Sequence, residues 1–538
     1  MQVNDMQISG NHKDLEAAYR DTLKWIHSTM RLGSRLGLER VSRLLELMGN
    51  PHQRTKFIHV TGTNGKGSVT AMAASILKEA GYKTGMFTSP YLEEYRERIM
   101  LNGKKIPKHA LVEITALVRE KVERLLEEGF DHPTEFEVNT AIAFEYFARE
   151  RCDYVVLEVG LGGRFDATNV VTPVVSVITT IDFDHMDRLG DTLPQIAFEK
   201  AGIIKPGVPV VTGVTEEETL EVIKKRAIEC NSELYIVDQA PFADIRWADA
   251  RTAKNARFSP ATKKCSDHTL SQSVDISGPG FACENVTLSL LGRHQQLNAA
   301  LAVAALKVAK VPPLASTALT SPVAAPASPD SPAPSALQAL SAPPAQPAQP
   351  AQAAYQDSQD SGASPVPLKQ QCKQDRGIHL DEQAVRTGLA NTVWPGRLEV
   401  IHKEPLIILD GAHNPQGARV LAEFIKGKLA GRKIICVFGI LSDKCYREPT
   451  SYIAPLCHQM IITRPHSPRA LDPEKLAREA RRYTPNVTIE EDSDKAMELA
   501  ITKASSDDVV LCCGSLYLVG PARTYIRKRF GISPYGGE

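Results

Sequence analysis

A glycine-rich loop, Gly62-Thr63-Asn64-Gly65-Lys66-Gly67-Ser68, stands between the apolar run Phe57-Ile58-His59-Val60 and a stretch to Ala80 with helical patterning. A strand that feeds a helix through glycines confines the chain to α/β architectures. It also has a chemistry. Glycines let successive N–H groups turn toward one anion, and the helix N-terminus adds its positive dipole end. Lys66 is placed to reach outer phosphates, and the Ser68 hydroxyl suits a nucleotide-bound Mg²⁺. The spacing departs from Gly-x-x-x-x-Gly-Lys-Ser/Thr, because a glycine separates Lys66 from Ser68 and the loop before the lysine is shorter. A ligand-free glycine turn is the competing reading; placement between strand and helix favours phosphate binding.

The alternation continues along the chain. Strand-like runs at Phe57 to Thr61, Lys83 to Thr88, Tyr154 to Val159, Val174 to Ile181 and Val208 to Thr212 are separated by helical patterns. Several are apolar throughout, as in strands covered on both faces. This predicts a doubly wound, mostly parallel sheet of the phosphate-loop type over residues 1–310. Residues 14 to 48 read as helices, 234 to 292 hold short runs that suit antiparallel strands, and a helix follows from Gln295 to Ala309. The segment 311–370 then holds 13 of the chain's 35 prolines amid alanine, serine and glutamine. With few large apolar groups it is expected to be a disordered Pro/Ala-rich insertion. Residues 371–396 supply a helix at Leu380 to Leu389 and a linker. A smaller Rossmann-like α/β domain is expected over 397–538, with strands Leu406 to Leu409, Ile434 to Phe438, Met460 to Thr463 and Val509 to Cys512. Helices at Gly417 to Lys428, Pro473 to Arg482 and Lys495 to Ala504 alternate with them.

At 538 residues and 43% apolar content the chain has ample material for two cores. Lys plus Arg and Asp plus Glu both number 63. There is thus no overall field to draw in nucleic acid or an anionic membrane. Ten cysteines without a Cys-x-x-Cys pair point to reduced, mostly buried thiols. The start of the chain is polar with no apolar leader, and no run has the length of a bilayer span, so a cytoplasmic protein is expected.

Ligands of open α/β sheets collect beyond the carboxyl ends of the strands. Glu158 ends one strand, and Asp182, Asp184 and His185 follow another, so these groups and Ser68 share an edge with the loop. Together they could hold Mg²⁺, although imidazole is an unusual ligand for so hard a cation, and a capping or surface role for His185 is about equally favoured. In the second domain Asp410-Gly411-Ala412-His413-Asn414-Pro415 leaves an apolar strand. Helix capping accounts for Asn414 and Pro415. Asp410 and His413 are left to face a ligand, and Arg397 could meet phosphate from the linker, a surface ion pair being its simpler explanation.

Taken together, these segments resemble the folylpolyglutamate synthase and dihydrofolate synthase family within the Mur ligase superfamily. The likeness covers His59 to Gly103, Thr134 to Gly213 with Glu158-Val159-Gly160-Leu161-Gly162-Gly163 and Glu199-Lys200-Ala201-Gly202, Gly292-Arg293-His294-Gln295 with Asn298, Pro395-Gly396-Arg397, Asp410 to Pro415 and Cys513-Gly514-Ser515. The insertion lies outside the family pattern, and Tyr91 stands where a histidine is common. The resemblance implies that Gly62, Thr63, Asn64, Gly65, Lys66, Gly67 and Ser68 bind ATP phosphates, with Asn298, Arg397 and Asp410 completing the nucleotide site. Ser68, Glu158, His185 and a carbamylated Lys200 are then implied as ligands of two Mg²⁺ ions. Leu36, Gly37 and Leu38, with Thr134, Glu135, Phe136 and Glu137 and with Phe165, Asp166 and Ala167, match pteroate-binding segments. The implied reaction joins L-glutamate to a tetrahydrofolate or dihydropteroate carboxylate through an acyl phosphate, with Lys66, Lys200 and His413 in catalytic roles, in a monomer. A peptidoglycan-precursor ligase and a nucleotide-dependent switch docking through the proline-rich segment are the alternatives.

Overall fold

The computed structural model describes residues 12–29, 37–239, 244–249, 272–278, 281–309 and 380–535. The expected disordered insertion at 311–370 lies outside the described residues. Two sheets organise the rest. The first has eleven strands: β1 Lys56–Thr61, β2 Thr84–Phe87, β3 Ile99–Leu101, β4 Lys104–Lys105, β5 Tyr154–Glu158, β6 Val175–Ile178, β7 Val210–Thr212, β8 Leu234–Gln239, β9 Asp244–Asp249, β10 Gln272–Gly278 and β11 Phe281–Leu288. Their order is β11-β10-β9-β8-β7-β6-β1-β5-β2-β3-β4.

The central strands run parallel, β1 lying between β5 and β6 with Val60 opposite Glu158 and Val177. Because β1 connects onward to one side while its neighbours come from later in the chain, a crevice opens at its carboxyl end. The run 234 to 292 is only partly antiparallel. β8 with β9 and β10 with β11 are antiparallel, whereas β9 with β10 and β7 with β8 run parallel. One face of the sheet packs on the helices Lys66–Glu79 and Arg293–Val308 through Val69, Met72, Ile76, Leu301 and Val303, all fully buried. On the opposite face Phe57 and Phe87 pack with Phe144 and Phe147 of the helix Glu135–Arg149, in a cluster that the helix Lys108–Glu127 joins.

The second sheet has six strands: β12 Glu399–Lys403, β13 Leu406–Asp410, β14 Ile434–Phe438, β15 Gln459–Ile462, β16 Val487–Ile489 and β17 Val509–Cys513, ordered β12-β13-β17-β14-β15-β16. Only β12 is antiparallel to its neighbour. The eight described cysteines are free, and all but Cys445 are buried. Among the described residues no helix is long and apolar enough to cross a membrane.

The two lobes meet in defined contacts. Glu93 of the first accepts from Arg527 and Thr524 of the final helix, Leu516–Phe530, at 2.9 and 2.7 Å and also pairs with Arg523. Arg523 in turn binds Glu399 at 2.9 Å, so one buried guanidinium ties both lobes to the start of β12.

Candidate active site

The loop after β1 has the backbone its sequence demands. Gly65 begins the helix at φ 86°, a left-handed conformation that costs other residues about 1 kcal/mol or more. A side chain there would also meet Asn298 Oδ1 at 2.5 Å, and one at Gly62 would strike Thr179 Oγ1. Neighbouring strand ends hold the loop from outside: Thr179 Oγ1 donates to Asn64 O at 2.6 Å, and Thr63 N donates to Thr180 O at 2.7 Å. The amides at the start of the helix are thereby fixed, which is the cradle a polyphosphate needs.

Both lysines point into this loop. Lys66 Nζ donates to the carbonyls of Gly62 and Thr63 at 2.9 and 3.1 Å, and Lys200 Nζ donates to the same Gly62 carbonyl at 2.9 Å. Burial and the neighbouring Lys66 charge push Lys200 well below its ordinary value, favouring a neutral amine. Burial also lowers Lys66, against the pull of Glu158 and Asp184.

Glu158, at the end of β5, is 4% exposed, and its Oε2 accepts from Ser89 N at 3.0 Å. Burial raises it to about 6 even though Lys66 and Arg397 oppose the shift. His185 sits at φ 51° ahead of a short helix, with Nε2 at 3.3 Å from Lys444 Nζ of the second lobe. Lys444 also pairs with Asp184 at 2.6 Å. Burial would raise Asp184, but the Lys444 ammonium outweighs it and holds the carboxylate well below the usual range. Among the described residues no three His, Cys, Asp or Glu side chains gather as a metal cluster. Magnesium does not need one, since it keeps waters and phosphate oxygens around one or two protein carboxylates. The buried Ser68 hydroxyl and Glu158 suit such an ion; the imidazole of His185, turned toward an ammonium, suits it less.

The second lobe closes over the loop. Asn64 and Asn414 exchange side-chain hydrogen bonds at 3.5 and 3.1 Å, and Asn64 Nδ2 also donates to Gln416. Asn414 meanwhile caps its own helix through Gly417 N at 2.8 Å, so one residue starts a helix and fastens the lobes. Asp410 uses both oxygens on backbone, accepting from Leu398 N and Ala412 N at 2.8 Å each. It shapes the turn and balances Arg397, whose guanidinium is lowered by burial against the pull of Asp410 and Glu158. His413 Nδ1 lies 2.7 Å from the Gly411 carbonyl. A carbonyl only accepts, so Nδ1 carries the proton and Nε2 keeps its lone pair. Burial, with help from Lys444, lowers this imidazole to about 4, leaving it neutral.

Beside these groups lies a cavity of about 450 Å³ lined from both lobes. Gly37, Thr134, Phe136, Glu137, Phe165, Asp166 and Ala167 reach it. Leu38 and Glu135 do not line it: Leu38 packs against the hydrophobic core, and Glu135 lies 3.4 Å from His27. Leu36 lies outside the described residues. Thr134 and Glu137 also form a reciprocal helix cap, at 3.2 and 2.7 Å, and Asp166 accepts from Leu161 N and Thr168 N at 2.9 and 3.0 Å. The cavity wall holds Arg98, from the matched segment Glu97-Arg98-Ile99, and cations that the motifs did not single out: Arg164, Arg188, Lys444 and Arg469. Lys444 sits beyond the carboxyl end of β14 and Tyr517 beyond that of β17, so the strand-end rule was the available signal for them, whereas Ser515 already stood in the segment Cys513-Gly514-Ser515. Arg164, Lys444 and Arg469 stand in ion pairs with Glu199, Asp184 and Asp443 at 2.7, 2.6 and 2.8 Å, so a ligand carboxylate there would share or displace those partners.

Residues 60–306 match the Mur ligase middle domain, and residues 396–516 match the Mur ligase glutamate ligase domain. The chain is 34% identical over 513 residues to the dihydrofolate synthase/folylpolyglutamate synthase of Bacillus subtilis, covering 95% of this chain and 99% of that one. Among solved structures, the Mycobacterium tuberculosis folylpolyglutamate synthase complexed with ADP and AMPPCP superposes with a TM-score of 0.72 at 26% identity, covering 96% of this chain and 100% of that one. Escherichia coli FolC in complex with DHPP and ADP gives 0.69 at 26% identity, covering 94% and 98%.

Proposed function

Since the chain belongs to the family of folylpolyglutamate and dihydrofolate synthases and is an ATP-dependent ligase, we propose that it activates a folate carboxylate as an acyl phosphate and joins it to L-glutamate. One observation carries this reading. The glycine loop of the first lobe and the Arg397–Asn414 face of the second meet through reciprocal Asn64–Asn414 bonds, beside a cation-walled cavity.

A carboxylate resists an amine because oxide is a poor leaving group. In the proposed first step a carboxylate oxygen attacks the γ-phosphorus of ATP, the bond to the β-phosphate oxygen breaks, and ADP leaves with the electron pair. Loop amides and the Lys66 ammonium, now on loop carbonyls, hold the phosphates, and Arg397 brings fixed positive charge from the other lobe. The neutral amine of glutamate then attacks the acyl carbon, the C–O bond to phosphate breaks, and the departing phosphate takes the proton that the nitrogen gives up as the amide forms. Lys444 and Arg469 offer the charge that glutamate's carboxylates need, and His413, neutral with a free Nε2, orients the amine or the acyl phosphate. Lobe closure keeps water from the acyl phosphate.

Ser68 and Glu158, with His185, are the proposed Mg²⁺ ligands. When bound, the ion offsets negative charge on the phosphoryl oxygens. The neutral tendency of Lys200 supports its carbamylation: the amine adds to CO₂, a C–N bond forms, and the lost proton leaves a carbamate able to hold a second ion. Use of dihydropteroate as well as tetrahydrofolate is supported by Thr134, Phe136, Phe165, Asp166 and Ala167 on one cavity wall. A cytoplasmic monomer fits the same reading, because one chain supplies both halves of the site.

Release of ADP and phosphate by the purified protein, measured with glutamate and each pterin separately, tests the assignment. Turnover with tetrahydrofolate is expected, and turnover with dihydropteroate establishes the second activity. Turnover only with a nucleotide-linked sugar, or ATP hydrolysis indifferent to either acid, contradicts it.

A further inference from the structure

The last helix, Leu516–Phe530, ends at Gly531 with φ 65°, and this left-handed residue redirects the chain. Ile532 N donates to Arg527 O at 2.9 Å, and Arg527 Nε returns bonds to the carbonyls of Ile532 and Ser533 at 3.2 and 3.1 Å. Arg527 also grips Glu93 of the first lobe at 2.9 Å. The tail therefore leaves the second lobe already bound toward the first.

It delivers an aromatic ring. Tyr535 packs on a small cluster built from Ala71, Met86 and Met100 of the first lobe, beside Ala74 and Trp394. Ala71 and Ala74 lie on the helix that starts at Lys66, and Trp394 closes against Gly67, where a side chain would meet the indole at 2.5 Å. A narrow pocket of about 40 Å³ is shared by Tyr535 with Gly67, Glu158, Trp394 and Arg397. Burial, reinforced by the Glu97 carboxylate, holds the Tyr535 hydroxyl protonated at any physiological pH.

We propose that residues 531–535 form a latch in which the Tyr535 ring, carried by the second lobe, seats in the first and keeps the lobes closed around the nucleotide loop. Tyr535 is a positioning residue: it acts through Trp394 and the Lys66 helix. The proposal rests on the reading of the cleft as an ATP site. A nucleotide that touches Gly65 from one lobe and Arg397 from the other binds tightly only when the lobes are closed, so its apparent affinity scales with the closed fraction. Removing the ring makes binding supply the closure. The Glu93 contacts with Arg523, Thr524 and Arg527 remain in that variant, which limits the effect.

The test compares full-length wild type, Tyr535→Ala and Tyr535→Phe by titration with a fluorescent ATP analogue and Mg²⁺, by steady-state kinetics, and by small-angle X-ray scattering without nucleotide. The Tyr535→Ala protein should bind the analogue about tenfold more weakly and raise the KM for ATP with a much smaller change in kcat, as expected when a latch sets the closed fraction. Tyr535→Phe keeps the ring and should stay within about twofold of wild type by the same logic. The radius of gyration should grow in Tyr535→Ala alone. Equal affinities in all three proteins, or a phenylalanine variant as weak as the alanine one, overturns the latch. Failure of wild type to bind the analogue rejects the ATP reading instead, and the scattering comparison then still decides whether the tail holds the lobes together.

Discussion

The side-chain nitrogens of Lys66 and Lys200 share one acceptor, the carbonyl of Gly62, each at 2.9 Å. Burial, and after it the charge of Lys66, shifts Lys200 well toward a neutral amine. If carbamylation follows, Lys200→Gln should lose about 100-fold or more in kcat, the scale seen when one fixed electrostatic group is removed. Wild type incubated with ¹³C-bicarbonate should show a carbamate carbon by NMR that the variant lacks. An identical spectrum from both proteins contradicts the chemistry assigned to Lys200.

Two glycines with nearly the same φ separate strain from contact. Gly65 has φ 86° and faces Asn298, whereas Gly81 has φ 84° and open space for 4 Å around the point where a side-chain carbon would stand. Gly81→Ala should cost about 1 kcal/mol of stability and leave the KM for ATP alone. Gly65→Ala should carry a similar backbone cost and also raise that KM more than about tenfold, because the loop must shift to clear Asn298. Denaturant melts and initial rates on both variants check this. Equal KM changes would show that the contact is immaterial.

Lys444 and Asp184 join the lobes at 2.6 Å with side chains 11% and 12% exposed. Lys444→Met and Asp184→Asn should therefore show a coupling of about 1–3 kcal/mol in a double-mutant cycle on unfolding. The lysine variant should in addition raise the KM for glutamate, since Lys444 lines the cavity. Strict additivity, with an unchanged glutamate KM, removes this pair from the site.

Much of this was readable in residues whose environment is uniform. β1, β5 and β13 are buried along nearly their whole length, so continuous apolar runs marked them within a residue or two. The short strands β3, β4 and β16 span three, two and three residues, too few for a periodicity to show. Helix Leu516–Phe530 carries Pro521 in its interior, which interrupts the usual pattern. In the site, the Gly62–Ser68 loop announced itself through local backbone needs. Lys444 had only its place beyond a strand end to mark it, because its partner Asp184 lies 260 residues away in the chain and only folding brings the two together.

Burial drives His59 from 6.5 to about 3, with Lys205 adding to the shift, so the native imidazole is neutral near pH 7. The unfolded chain takes up a proton as pH falls below about 6.5, while the native state does not until near 3. Stability should thus fall in that window, by up to about 1.4 kcal/mol per pH unit from this group. His59→Gln keeps a polar partner for Thr168, which lies 2.9 Å from Nε2, and removes the titration. Its unfolding free energy should vary less between pH 6.5 and 5, by about 2 kcal/mol relative to wild type. Parallel curves in urea melts across that range would assign the acid sensitivity elsewhere.

The central claim, that the two lobes clamp ATP so that a folate carboxylate is phosphorylated before glutamate attacks, is tested most directly by oxygen tracing. Tetrahydrofolate labelled with ¹⁸O in its terminal carboxylate should deliver one labelled oxygen to the phosphate released with each new amide, read by mass spectrometry. Unlabelled phosphate formed alongside the glutamylated product would contradict the mechanism.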